Sequence, residues 1–398
     1  MLKIGVIGLG YVGLPISLVI SKYFKTIGFD INKIRISNLK KNLDNNFEFR
    51  KKDFLKRKIK FSSILKDLQE CNFYIICVPT PIKKNKIPDL NPIKKSFEIL
   101  SKVIKKNDII VLESTVYPGI TNKYCKYLET KTNLRINKDF HVCYSPERIN
   151  PGDKKNSLTK IEKIIAYEGK NLSIKKKIFK VYKNLSKKII FSKLINEAET
   201  AKTIENIQRD LNISLFNEIL LICIKLNLNF KEVIKLAKTK WNFLEFDPGL
   251  VGGHCLPVDP YYLTYAARKK NYNAKVTLSG RFINDYMAKF VINETIKIIK
   301  KNHKKASKIK ICILGLTYKY GVSDTRNSQK ILIYKKLKKK YKNTSAYDPF
   351  FSEKNHENIL NYYDNDYYLF LTKGKIFKKI YNKLNKKKII DPFYYYSN

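Results

Sequence analysis

Apolar residues near the start of the chain gather in short runs separated by polar turns. Residues 2–7 read as a buried strand, Gly8-Leu-Gly-Tyr-Val-Gly13 follows, and an apolar stretch to about Tyr23 reads as a helix. Residues 26–30, 73–78 and 108–112 are further β-rich runs that close in polar or Pro-containing loops. Strands alternating with helices predict a parallel, doubly wound sheet reaching to about residue 192.

The period then changes. Ala198, Ala201, Ile204, Ile207, Leu211, Leu215, Ile219 and Ile222 recur at spacings of three and four, which predicts one long amphipathic helix from Asn196 to about Leu226. A helix of that length suits a domain link or a subunit interface. Further helices are predicted around 231–238 and 279–300. Lys308-Ile-Lys-Ile-Cys-Ile-Leu-Gly315 restarts the strand-glycine pattern, followed by a helix near 329–340 and strands near 345–347, 367–372 and 388–392. The expected fold is α/β: two Rossmann-like doubly wound parallel-sheet domains joined by a long central helix and a helical middle domain. The expected divisions are 1–192, 193–304 and 305–398.

A chain of 398 residues with 44% hydrophobic content supports a sizeable globular core. The formal charge is +46, yet only nine of the 80 basic residues are Arg, and the lysines are scattered in short runs. No nucleic-acid motif accompanies them, so they read as solvated surface rather than a nucleic-acid site. Such a field still steers acidic, phosphorylated substrates inward. Seven cysteines without framework spacing suit reduced thiols. No signal-peptide pattern opens the chain, and no apolar run nears the ~20 residues of a membrane span, so a cytoplasmic location is expected.

Gly8-x-Gly10-x-x-Gly13 lies between strand and helix: the first glycine makes the turn, the second admits a pyrophosphate, the third lets helix and strand pack. Asp30 closes the next strand, where an acid meets a ribose and repels a 2′-phosphate, which favours NAD over NADP. In Phe246-Asp-Pro-Gly-Leu-Val-Gly-Gly-His-Cys-Leu-Pro-Val-Asp259, Gly252 and Gly253 allow a close backbone approach before Cys255. The usual fate of a cysteine is a buried core position, and Cys71, Cys77, Cys125, Cys143, Cys223 and Cys312 are assigned it. Cys255 stands apart as a candidate nucleophile, and a helix starting at Leu256 would stabilise its thiolate. A metal is not expected, because His254-Cys255 lacks a second ligand pair. Lys202 and Asn206 share a helix face and would make an oxyanion donor pair, although spacing alone favours plain solvent exposure. Ser114-Thr115 and Ser145-Pro-Glu147 follow strands at the ligand-binding end of the sheet, where a hydroxyl and a carboxylate can position a water or simply make turns.

Together these segments resemble the nucleotide-sugar 6-dehydrogenase family, which includes UDP-glucose and GDP-mannose dehydrogenases. The resemblance spans nearly the whole chain: the Gly8 loop, Val78-Pro-Thr-Pro81, Ser114-Thr115, Ser145-Pro-Glu147, Glu197-Ala-Glu-x-x-Lys202-x-x-x-Asn206, Gly252-Gly-His-Cys255 with Asp259, and Gly315-Leu-Thr-Tyr-Lys319 leading to Asp324-Thr-Arg326. Pro146-Glu-Arg-Ile-Asn-Pro-Gly-Asp153, Lys240-Trp-Asn-Phe243 and Val251-Gly-Gly-His254 are most like the branch that oxidises UDP-N-acetylgalactosamine or UDP-N-acetylglucosamine for surface polysaccharides.

The resemblance implies a four-electron oxidation of the sugar C6 hydroxyl. Cys255 would form a thiohemiacetal and then a thioester, and water positioned by Thr115 and Glu147 would release the acid. Lys202 and Asn206 would hold the oxyanion, and Asp259 would order the network. It implies NAD contacts at Gly8, Gly10, Tyr11, Val12, Gly13, Asp30, Arg35, Pro79, Thr80, Thr115, Lys319 and Arg326. Substrate contacts would fall at Glu147, Arg148, Lys202, Asn206, Phe246, Gly249, Gly252, Gly253 and Lys319. It also implies a homodimer built on the long helix, an NAD-binding first domain, a central helical domain with the cysteine loop, and a UDP-sugar-binding last domain. Three positions depart from the family pattern: Pro151 where a second glutamate often stands, Thr239 where an arginine often stands, and Asp247 before the Pro-Gly of the cysteine loop. The alternatives are UDP-glucose or GDP-mannose as substrate, a two-electron 3-hydroxyacid dehydrogenase that needs no cysteine, and a non-catalytic binder of anionic polymers.

Overall fold

Eight strands build the first sheet, and all but two run in one direction. They are β1 (Lys3–Ile7), β2 (Lys25–Phe29), β3 (Ile59–Ser62), β4 (Phe73–Ile76), β5 (Ile109–Leu112), β6 (His141–Tyr144), β7 (Glu162–Tyr167) and β8 (Lys188–Ser192). Their order is β3-β2-β1-β4-β5-β6-β7-β8, so the chain winds outward from β1 in both directions. The computed structural model describes residues 1–46, 48–148, 158–302, 308–351 and 364–397. Pro151, one of the departing positions, lies outside the described residues, as do residues 149–153 of the motif that starts at Pro146.

The strands at the centre of this sheet are buried on both faces and read as unbroken apolar runs, such as Phe73-Tyr-Ile-Ile76 and Ile109-Ile-Val-Leu112. The pattern departs from the sequence expectation at one edge. β7 pairs with β6 antiparallel, Cys143 facing Tyr167 and Tyr144 facing Ala166, and β8 then follows β7 in parallel. The beginning of β7 therefore sits at the carboxyl end of β6. β3 also escaped the sequence reading, because Ile59-Lys-Phe-Ser62 is too short and too polar to carry a strand pattern.

The second sheet is β10 (Thr344–Tyr347), β9 (Ile311–Leu314), β11 (Tyr367–Phe370) and β12 (Ile389–Ile390), in that order and all parallel. Its helix Gln329–Lys340 has the predicted bounds. By contacts the chain divides into two units: residues 1–205 with 261–272, and residues 206–260 with 273–398.

The long helix spans Ile195–Lys225. Its apolar residues do not form a single buried stripe. Ala198, Ile207, Phe216, Leu220 and Cys223 are buried, whereas Ile204, Leu215 and Ile222 are each about half exposed. Within the second unit the helix is tied to the helix Lys275–Asn302 by a buried network. Arg281 donates to Asp210 at 2.6 Å, and Asn284 donates to Asp210 and accepts from Asn217.

Candidate active site

The glycine loop has the geometry the fingerprint demands. Gly8 sits at φ +90°, a conformation other residues rarely adopt, and its N–H donates to the Phe29 carbonyl at 2.8 Å. A Cβ on Gly13 would lie 1.8 Å from the Gly8 carbonyl oxygen, so the helix Gly13–Ile20 packs against the turn only because that position is glycine. A Cβ on Gly10 would meet nothing within 4 Å: the second glycine faces open space, as a seat for a pyrophosphate requires. Tyr11 and Val12 complete the turn, half-buried.

Asp30 follows β2 and accepts from the Leu9 N–H at 2.8 Å and the Asn32 N–H at 2.9 Å. Arg35 donates its Nε–H to the Leu9 carbonyl at 3.0 Å and pairs with buried Asp44 at 2.7 Å. It thus braces the turn from below. Pro79 and Thr80 follow β4, and the Thr80 carbonyl accepts from the Tyr262 hydroxyl at 2.9 Å. These residues fit a dinucleotide with a free 2′-hydroxyl.

At the carboxyl end of β5 the two hydroxyls separate in role. Ser114 donates to the Val78 carbonyl at 2.8 Å and so ties β5 to β4, while Thr115 is half-buried in the loop beyond. Glu147 follows β6 and is buried. Its Oε1 accepts from the Arg148 N–H at 2.6 Å, and its Oε2 lies 3.3 Å from the Lys163 ammonium. Lys163 also meets Glu113 at 2.5 Å. Sequence reasoning missed Lys163 and Glu113, since one lysine among so many carries no signal. Burial works against the Lys163 charge, but the two carboxylates outweigh it and hold its pKa above the usual lysine value. The Arg148 guanidinium turns to Glu205 on the long helix.

Lys202 and Asn206 are both buried, which overturns the solvent-exposure reading that spacing alone favoured. The Asn206 amide donates to Asp259 at 2.5 Å, so two of the expected residues meet directly. Three residues before Lys202, Glu199 accepts from the N–H groups of Gly119 and Thr121 and caps the helix Ile120–Thr132.

Cys255 is exposed, and the other six cysteines are buried, as the sequence reading assigned them. The helix after it begins at Asp259, not Leu256. A turn intervenes, in which the Cys255 carbonyl accepts from the Val258 N–H at 3.0 Å and the Asp259 N–H at 2.8 Å. The glycine pair before it admits the protein's own chain. A Cβ on Gly253 would lie 2.8 Å from the Tyr318 ring, and one on Gly252 would lie 3.1 Å from the Asn327 carbonyl oxygen. The cysteine loop is fastened to that 318–328 segment. The Gly253 N–H donates to the Arg326 carbonyl at 3.2 Å, Asn327 donates to the Gly253 carbonyl at 2.9 Å, and the His254 Nε2 lies 3.0 Å from Asp324. Burial opposes the charge of Asp324, yet hydrogen bonds from His254 and Arg326 hold its carboxyl well below the usual range.

Lys319 and Arg326 lie on the same segment, and Arg326 folds back onto Asp324 through its Nε and Nη2. Gly249 exchanges both backbone bonds with the Asn217 side chain, at 2.8 and 3.0 Å. Phe246 packs against Phe216 with ring centroids 6.1 Å apart. Asp247, a departure from the family pattern, meets Lys373 at 2.7 Å. Thr239, another departure, is exposed, and its hydroxyl donates to the Leu236 carbonyl at 2.7 Å. Among the described residues no group of three or more His, Cys, Asp and Glu is placed to hold a metal, and no helix is long and apolar enough to cross a membrane.

A glycine turn of this geometry closed by Asp30 defines a dinucleotide-binding α/β protein. The chain belongs to the UDP-glucose/GDP-mannose dehydrogenase family. Residues 2–186 match its NAD binding domain, 196–286 its central domain and 312–397 its UDP binding domain. It is 45% identical over 350 residues to UDP-N-acetyl-D-glucosamine 6-dehydrogenase of Salmonella typhi, covering 87% of this chain and 82% of that protein. Identity to the protein of the same name from Pseudomonas aeruginosa is 41% over 354 residues, covering 88% and 83%. Among solved structures, UDP-D-ManNAc dehydrogenase from Pyrococcus horikoshii superposes with a TM-score of 0.87 at 30% identity, covering 98% of this chain and 93% of that one.

Proposed function

We propose that this nucleotide-sugar dehydrogenase oxidises the C6 hydroxyl of a UDP-N-acetylhexosamine to the uronic acid, in the cytoplasm and for surface polysaccharide synthesis. The observation that carries the four-electron course is the single exposed thiol, Cys255, on a loop pinned at Gly253 and His254. A simple alcohol dehydrogenase needs no such thiol. The N-acetylhexosamine assignment draws support from the two relatives at 45% and 41% identity.

When bound, NAD accepts the hydride of each two-electron step. Cys255 sulfur adds to the aldehyde carbon and keeps the half-oxidised sugar attached until it becomes a thioester. Lys202 and the Asn206 amide stabilise the developing oxyanion, and Asp259 holds Asn206 in place. Water then attacks the acyl carbon, Glu147 takes its proton, Thr115 orients it, and the sulfur leaves as thiolate. Lys319, with Gly249, Gly252, Gly253 and Phe246, serves the nucleotide sugar, and Arg326 serves the dinucleotide phosphates. This division assigns residues 1–192 to the dinucleotide, 193–304 to dimerisation and the thiol, and 305–398 to the UDP moiety. The half-exposed Ile204, Leu215 and Ile222 lie close to one line along the long helix and supply an apolar face for a second copy.

The test is stoichiometry. Purified protein with NAD is offered UDP-N-acetylglucosamine, UDP-N-acetylgalactosamine, UDP-D-ManNAc, UDP-glucose and GDP-mannose in turn. The expected result is about two NADH per sugar with one UDP-N-acetylhexosamine, and a stalled reaction in Cys255→Ser. About one NADH per sugar with an indifferent Cys255→Ser overturns the thioester course.

A further inference from the structure

Four ionisable groups from four elements meet inside the first unit. Glu113 follows β5, Glu147 follows β6, Lys163 lies in β7, and Tyr182 ends the helix Leu172–Tyr182. The Lys163 side chain is 0% exposed, and so is that of Glu113. Its ammonium lies 2.5 Å from Glu113 Oε2 and 3.3 Å from Glu147 Oε2, and the Tyr182 hydroxyl donates to Glu113 Oε1 at 2.7 Å. The Tyr182 ring also lies under the ammonium, 5.8 Å from centroid to nitrogen.

We propose that Lys163 is a positioning residue for Glu147: its ammonium, anchored by Glu113, fixes the outer edge of the Glu147 carboxylate in the orientation that accepts the proton of the attacking water. The proposal rests on the role given to Glu147 above. It explains why β7 is reversed. The antiparallel register pairs Tyr144 with Ala166, and carried three residues further it sets Lys163 opposite Glu147. A parallel β7 would take its first residues to the other end of the sheet, away from the ligand edge.

Burying a lysine costs several kcal/mol unless carboxylates surround it, so the arrangement is not idle filling. Among the described residues, Cys77, Cys143 and Arg148 also face the cluster. Cys77 beyond β4 and Cys143 in β6 are thiols whose pKa values burial drives up, and the Arg148 guanidinium is committed to Glu205. Within the cluster one ammonium is shared by two carboxylates. Glu113 takes the shorter contact, and Glu147 keeps the longer one, with its Oε1 braced by the Arg148 N–H at 2.6 Å.

The step served is hydrolysis of the Cys255 thioester. Water adds to the acyl carbon, the C–S bond breaks with its electron pair on sulfur, and the water proton passes to Glu147. The experiment compares wild type, Lys163→Met, Lys163→Arg, Glu113→Gln and Glu147→Gln across pH, with kcat and KM for the preferred UDP-sugar. Intact mass of the quenched enzyme reports acyl-Cys255. Lys163→Met is expected to lower kcat about tenfold or more with little change in KM, to accumulate the acyl adduct, and to move the acid limb of kcat to higher pH. Lys163→Arg restores part of the rate.

Glu113→Gln moves the acid limb the other way, because the ammonium then serves Glu147 alone. Glu113→Gln decides the matter if Lys163→Met does not fold. An unmoved acid limb without an adduct, while Glu147→Gln is impaired, overturns the proposal and leaves the Glu147 role standing. A Glu147→Gln enzyme that hydrolyses normally overturns both.

Discussion

Asn206 donates its side-chain amide to Asp259 at 2.5 Å, and Asp259 in turn gives its backbone N–H to the Cys255 carbonyl at 2.8 Å. One face of the long helix is thereby connected to the thiol through two bonds, with both side chains buried. Asn206→Ala removes a hydrogen bond to a buried carboxylate and is expected to cost about 1–3 kcal/mol, read from the urea midpoint. Asn206→Asp costs more at neutral pH, since it sets two buried carboxylates in contact, and the deficit shrinks as acid protonates one of them. Equal midpoints for wild type and Asn206→Asp at neutral pH contradict the contact.

Lys330 is buried in the first turn of the helix Gln329–Lys340, donating to the Thr317 carbonyl at 2.9 Å and to Thr372 Oγ1 at 2.6 Å. Burial pulls its pKa down to about 8, with Asp348 opposing. Between that value and the 10.5 of the unfolded chain, the unfolded state binds more protons, so stability rises with pH through this window. Lys330→Met loses that slope. Parallel wild-type and Lys330→Met stability curves from about pH 8 to about 10.5 count against it.

The Asp324 carboxyl is held below its unfolded value, and the sign here is the opposite one. Its contribution is fully present above about pH 4 and fades as pH falls through the folded pKa. The stability advantage of wild type over Asp324→Asn is expected to be constant near neutrality and to shrink in acid. Because His254 precedes Cys255, the same substitution should quicken alkylation of Cys255 by iodoacetamide as its loop loosens. Unchanged alkylation disproves the fastening.

Leu215→Glu and Ile222→Glu place charge on the half-exposed apolar face of the long helix. Sedimentation should give a dimer for wild type and a shift toward monomer for the double variant, with the far-UV spectrum retained. A monomeric wild type removes the dimer reading.

Much of this was legible because its signals are local. The Gly8 turn, Asp30 and the bounds of the helix Gln329–Lys340 follow from periodicity and glycine chemistry within a few residues. Cys255 also stood out, because its flanking residues differ from the apolar runs around Cys77 or Cys143. The reversal of β7 was not legible, since strand direction is decided by pairing with β6 and leaves the same alternation in the chain. Lys163 was lost for a related reason: its burial depends on Glu113, 50 residues away. The long helix misled in part. A spacing of three and four marks every apolar position alike, and only packing separates buried Ile207 from half-exposed Ile204.

The turn after β9 copies the turn after β1. Gly315 has φ +102°, its N–H donates to the Tyr347 carbonyl at 2.9 Å, and the Leu316 N–H donates to Asp348 at 2.8 Å, just as Leu9 does to Asp30. The copy is incomplete. The helix that should follow at once begins only at Gln329, and Asp348 is further occupied by the N–H and hydroxyl of Thr317. Among the described residues, of these two turns the one at Gly8 alone is followed at once by its helix, and titration with NAD should saturate at a single equivalent per chain. Under the four-electron course, two oxidations queue for that seat, and spent cofactor must vacate while a half-oxidised sugar waits. A freely diffusing aldehyde would escape during the exchange; one tethered to sulfur cannot. Under that course the incomplete second copy would make the thiol a timekeeper as well as a nucleophile.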